Sequence, residues 1–84
     1  MLDFQKKVEI LRRYESLCYT ICVSLLHDEA EACKAAEQAL LLLFADQAFL
    51  QETDEGKPRY VLRLCTKESL NRKMRNGLKQ SASF

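Results

Sequence analysis

Cys18, Cys22, Cys33 and Cys65, with His27, are the residues of this 84-residue chain whose side chains have the widest chemical repertoire. Cys18 and Cys22 stand four apart, a spacing that brings two thiolates to one side of a helix, and His27 follows closely, so a metal pair is conceivable. Their neighbours argue against it. Tyr19, Ile21, Val23 and Leu25 surround the pair, and a thiol in such company packs as a small hydrophobe, so the sequence assigns Cys18 and Cys22 to the core. No metal and no other cofactor is expected. With one His in the chain, no Ser–His or Cys–His constellation can be assembled on chemical grounds, and His27 is expected in a turn. There is no Gly-rich phosphate loop, Cys-x-x-Cys motif or cleft-like pair of carboxylates, so the chain is not expected to be an enzyme.

The second kind of chemistry is electrostatic. Residues 1–56 carry five bases against eleven acids, a net of −6, whereas residues 57–84 carry eight bases against Glu68 alone, a net of +7. The overall charge of +1 conceals this division. An acidic body with a basic last third can meet two partners of opposite charge, and the last third is concentrated enough to meet a polyanion.

These groups need helices to position them. The chain is 48% hydrophobic and 30% charged with two Gly and one Pro, which argues for an ordered helical domain and against a loop-rich β fold. Phe4, Val8, Leu11, Tyr14, Cys18, Ile21 or Cys22, and Leu25 recur at steps of three and four, predicting a first helix from about Asp3 to Leu26. Asp28, with Glu31 three residues on as a capping-box partner, starts a second helix that runs to about Asp46. The short turn around His27 makes the two a hairpin. Residues 51–57 read as a loop, Pro58 as the first residue of a third helix to Arg75, and Asn76-Gly77 as its stop. The fold class is therefore all-α, a small bundle of three helices with room for a short extra turn, spanning residues 1–76, with a loose tail over 77–84.

Two segments have surplus character. In Ala39-Leu40-Leu41-Leu42-Leu43-Phe44-Ala45, four consecutive leucines at about 100° per residue cover most of a helix circumference, so one or two must face outward. Such an apolar patch marks an interface with a partner or a second copy. In the third helix, Val61, Leu64, Cys65, Glu68 or Ser69, and Met74 are expected inside. Arg59, Arg63, Lys67 and the cluster Arg72, Lys73 and Arg75 populate the remainder, where phosphate is the natural counterpart. Tyr60 could pack, or stack on a base. No run approaches the roughly 18 apolar residues of a membrane span, and no signal peptide is evident, so the protein is expected to be cytoplasmic with reduced thiols.

The run Tyr14-x-x-x-Cys18-Tyr19-x-x-Cys22-x-x-Leu25-Leu26-x-Asp28 resembles the start of region 2 in bacterial extracytoplasmic-function sigma factors. The segment from Asp28 to Phe44 is similar, without a gap, to that family's acidic helix, and Tyr60-Val61-Leu62-Arg63-Leu64-Cys65-Thr66-Lys67-x-x-x-Asn71 to its later basic helix. The resemblance spans about residues 4–75. It implies that Asp28, Glu31, Glu37, Gln38, Leu41 and Leu42 face the clamp helices of the large RNA polymerase subunit. It likewise implies that Arg59, Tyr60, Arg63, Lys67, Asn71, Arg72 and Arg75 face the −10 promoter element, where the family captures an unstacked base. The chain departs from the pattern at Cys33 and Lys34, in the order Glu37-Gln38, at Leu42 and at Tyr60. It also ends before the helix-turn-helix domain, region 4, of a complete sigma factor, so the resemblance implies a stand-alone region 2 that works with a separate region-4 chain. Rival readings are a protein-interaction module that regulates a sigma or anti-sigma factor without touching DNA, and a self-associating homo-oligomeric bundle.

Overall fold

The computed structural model describes the backbone of residues 3–82 and the side chains of residues 3–75. Four helices occur in the order α1 (Phe4–Leu26), α2 (Glu29–Ala45), α3 (Gln47–Gln51) and α4 (Gly56–Ala82), with no strand among the described residues. The molecule is an all-α bundle of three main helices and one short one, as the periodicity predicts.

Asp3 caps α1, accepting from the Lys6 N–H at 2.8 Å. The helix ends where His27 turns left-handed (φ 55°, ψ 29°) and donates its N–H to the Val23 carbonyl at 2.9 Å. His27 is thus the turn residue that reverses the chain. Asp28 immediately caps α2 through the Glu31 N–H at 3.1 Å, and Glu29 and Glu31 in the first turn suit the positive end of the helix dipole.

Asp46 serves two helices. Its N–H donates to the Leu43 carbonyl at 3.1 Å and closes α2, while its carboxylate accepts from the N–H groups of Ala48 and Phe49 and opens α3. The short helix α3 is the extra turn for which the sequence left room. It brings Phe49 and Leu50 into the core.

The third long helix begins two residues before Pro58. Thr53 accepts from the Gly56 N–H on its hydroxyl at 3.0 Å and from the Lys57 N–H on its carbonyl at 2.9 Å, which fixes the first turn at Gly56. Pro58 still lies in that turn, where its missing N–H leaves no intrahelical bond unmade. The expected stop at Asn76-Gly77 does not end the helix, whose backbone continues to Ala82. The looseness expected of residues 77–84 concerns side chains and an end that lie outside the described residues.

The core joins Cys18 and Cys22 of α1, Ala32, Ala35, Ala36, Ala39 and Leu43 of α2, Phe49 and Leu50 of α3, and Val61 and Cys65 of α4. Four alanines give α2 a flat inner face on which α1 and α4 can lie close. Tyr14, Phe49 and Tyr60 form an aromatic column, with ring centroids 5.9 Å apart (Tyr14–Phe49) and 5.6 Å apart (Phe49–Tyr60). Two placements differ from expectation. Phe4 is 70% exposed, held edge-on to Phe44 at 5.6 Å, and Met74 is 67% exposed instead of inside. Met74 is thirteen residues beyond Val61, about 140° around the helix from that buried residue, so it must point outward. Among the described residues no helix is long and apolar enough to cross a membrane.

Candidate functional site

The thiols are placed first by burial. Cys18, Cys22 and Cys65 are fully buried where α1 meets α4, and Cys33 alone is exposed. The hydrogen bond between Cys18 and Cys65 favours the thiolate on Cys18 and disfavours it on Cys65, whose thiol burial pushes up further. Burial also raises Cys22, which lies against the buried Ser69 hydroxyl, a group with no oxygen or nitrogen partner. This is packing chemistry: solvent reaches none of the three sulfurs. No group of three or more His, Cys, Asp or Glu among the described residues is arranged to hold a metal ion. Titration of the native protein with a thiol reagent is therefore expected to modify Cys33 alone, and all four cysteines only after denaturation. Rapid native labelling of more than one would contradict the packing.

The basic surface is built on α4. Arg59, Arg63, Lys67, Asn71 and Arg75 are exposed and follow one another at intervals of four, a row about 24 Å long that drifts about 40° per step around the helix. Val61, Cys65 and Ser69 form the parallel row that is buried. Tyr60 is half-buried. Its ring leans on Phe49, and it also borders a recess of about 260 Å³ lined by Glu52, Gly56, Arg59, Tyr60 and Arg63. An adjoining recess of about 180 Å³ is lined by Tyr60, Arg63 and Leu64. Two guanidinium groups beside an aromatic ring can take a phosphate and stack a flat base at the same place.

Arg72 does not belong to that row. It turns inward and meets Glu31 of α2, with Nε and Nη2 at 2.9 and 2.8 Å from Oε2. The structure therefore pairs a residue expected to face DNA with one expected to face polymerase. The reason is angular: Arg72 lies three residues after buried Ser69, on the side of α4 that faces α2. The ion pair ties the acidic body to the basic helix across forty-one residues.

The opposing face is on α2. Glu37 and Gln38 are exposed, Leu41 is 67% and Leu42 39% exposed, and Leu43 is fully buried. The leucine run thus presents two side chains outward, as its periodicity demands. Leu11, Glu37, Leu40, Leu41 and Phe44 line a mainly apolar groove of about 350 Å³ between α1 and α2, and Lys7 sits 5.3 Å over the Phe44 ring. Asp28 is exposed at the head of α2, engaged as its cap.

Sequence reasoning missed Asp46 and Lys57. The Tyr60 hydroxyl donates to Asp46 Oδ2, which locks the head of α4 to the α2–α3 corner. That hydrogen bond holds the Asp46 carboxyl below its usual range, opposed by burial and helped by the N–H groups of Phe49 and Ala48. It also raises the Tyr60 hydroxyl, as burial does. An Asp directly after a long apolar run is a cap signal that could have revealed α3. Lys57 is buried, its ammonium donating to the Glu52 carbonyl, and nothing in the sequence marks it.

Because the folded pKa of Asp46 is depressed, the stability it confers is present above the unfolded carboxylate value, about 3.9, and is lost as pH falls through the folded value. Tyr60→Phe is expected to cost about 1 kcal/mol at neutral pH, a charge-assisted hydrogen bond discounted for partial exposure. Urea titrations at a series of pH values should show that difference shrinking below about pH 4. A difference independent of pH would place the effect elsewhere.

The fold and surfaces define a small helical bundle with a cationic, aromatic-flanked row on one helix and an apolar, mixed-charge face on another. No protein-family model, curated protein or solved structure matches the chain.

Proposed function

We propose that the chain is a sigma-region-2-like transcription initiation subunit, a co-sigma factor that binds the clamp helices of RNA polymerase through α2 and the −10 promoter element through α4. The observation that carries the reading is the exposed row Arg59, Arg63 and Lys67 beside Tyr60, on a different helix from the exposed Glu37, Gln38, Leu41 and Leu42. One surface suits a polyanion and the other a protein, which is what a subunit bridging polymerase and promoter requires. The collinear motifs over residues 4–75 supply the partners' names. In this reading the protein is cytoplasmic, as is the polymerase it serves.

Within the proposal the DNA-facing set narrows to Arg59, Tyr60, Arg63, Lys67, Asn71 and Arg75. Arg72 acts by holding α4 on α2. Tyr60 offers one ring face at most, since Phe49 occupies the other side. The test is co-elution of the chain with the isolated clamp helices, followed by titration of the polymerase complex with single-stranded −10 DNA at several salt concentrations. Each phosphate neutralised contributes about −0.7 to the logarithmic salt slope. Failure to bind the clamp helices, with and without a region-4 chain, would overturn the proposal.

The exposure of Leu41 favours one second reading, a protein-interaction module with no DNA role. It predicts clamp-independent protein binding and no salt-dependent DNA affinity.

A further inference from the structure

The outward face of α2 has an order of its own. Ala30, Lys34, Glu37 and Leu41 are all exposed and lie opposite the buried Ala32, Ala35, Ala36, Ala39 and Leu43. Their spacing is four, three, four, which places them within about 60° of one another as a single seam along the helix. This spacing reads the same in both directions. Two α2 helices laid antiparallel can therefore bring Ala30 opposite Leu41 and Lys34 opposite Glu37, and the two-fold axis repeats each contact.

We propose that α2 is the interface of an antiparallel homodimer in which Leu41 of each copy fills the notch above Ala30 of the other, and Lys34 pairs with Glu37 of the other copy. Charge selects this occupant and this direction. In the antiparallel register both pairs are opposite in sign, whereas a parallel register would set Lys34 against Lys34 and Glu37 against Glu37. Lys34 is also the one base between Arg13 and Lys57, an isolated positive charge on an otherwise acidic stretch, and the seam gives it a partner. Antiparallel helix dipoles add a further favourable term. Leu41 is 67% exposed in the single chain, and the apolar groove it shares with Leu11, Leu40 and Phe44 borders the seam and enlarges the contact.

The dimer is a weak one. A helix of 17 residues is about 26 Å long, and a single helix pair of that length buries roughly 1,000 Å², below the usual range for stable complexes. Self-association in the micromolar range or weaker follows. Glu37 and Leu41 also belong to the surface proposed for polymerase, so the two associations would exclude each other. The dimer inference itself rests on the free chain and stands or falls without polymerase.

Sedimentation equilibrium of the isolated protein tests it, against a monomer mass of 9.7 kDa. The wild-type protein should show a concentration-dependent dimer. Lys34→Glu alone and Glu37→Lys alone should each weaken it roughly ten-fold or more, since each creates two like-charge contacts. An equimolar mixture of the two single variants should recover a heterodimer, and the double variant should recover the homodimer. The four positions are exposed, so helical circular dichroism should be unchanged throughout. A wild-type monomer across the whole range, single variants that dimerise normally, or a mixture that fails to recover would each overturn the proposal.

Discussion

Phe49→Ala is expected to remove about 3–5 kcal/mol of folding stability, the range for truncating a fully buried aromatic side chain. For a chain of 84 residues the total is on the order of 4–12 kcal/mol, so this one change approaches the whole margin. The size of the effect follows from where Phe49 sits. Helix α3 has five residues, too few to hold themselves helical, and it persists because Asp46 caps it and Phe49 anchors it between Tyr14 and Tyr60. Removing the ring leaves a cavity at the meeting point of α1, α3 and α4. It also loosens Tyr60, whose position depends on the same stack. In urea unfolding the midpoint should fall with little change in slope, and Phe49→Leu should recover most of the loss. A cost under about 1 kcal/mol would mean that the aromatic column is not the centre of the core.

The second large effect is on binding. Reversing Arg63 and Lys67 together, Arg63→Glu with Lys67→Glu, should lower affinity for single-stranded −10 DNA at least ten-fold at moderate salt and reduce the salt slope by about 1.4. Both side chains are exposed, so the stability change should stay within about 0.5 kcal/mol. That separates a lost contact from a lost fold. Arg72→Glu should behave differently: its first consequence is a broken ion pair with Glu31 and a like-charge contact between α4 and α2, so it lowers stability before it says anything about DNA. Equal DNA affinity in the wild type and the Arg63/Lys67 variant would remove α4 from the nucleic-acid surface.

Much of the fold was legible because its signals are local. Asp3 and Asp28 cap the helices they were expected to start, the apolar stripe of α1 predicts buried Cys18 and Cys22, and four leucines in a row cannot all be hidden. The misses have a common cause. They depend on how one helix lies on another, which spacing along a single helix does not encode. Arg72 reads as one more base of a cluster until α2 places Glu31 beside it. Lys57 reads as a surface cation until the loop before α4 closes over its stem. Asp46 reads as the last residue of a helix, although its larger role is to join three elements, closing α2 with its backbone N–H and holding α3 and α4 with its carboxylate. Met74 was misplaced for a simpler reason, a phase error accumulated over the long helix α4.

The candidate surfaces followed the same division. The basic row was visible as composition, and its geometry only removed Arg72 from it. The α2 seam was not visible as a pattern until burial showed which of its residues face outward. Lys34, the one base between Arg13 and Lys57, is the residue on which the proposed direction of the α2 seam depends.

Binding of the purified chain to the isolated clamp helices of the polymerase large subunit, measured at a concentration where the chain is monomeric, tests the proposed polymerase contact. Saturable one-to-one binding is expected, weakened by Leu42→Asp, since Leu42 is 39% exposed on the proposed contact face and lies off the dimer seam, and unchanged by Arg63→Glu. No binding to the clamp helices, or binding that depends on Arg63 and not on Leu42, would contradict it.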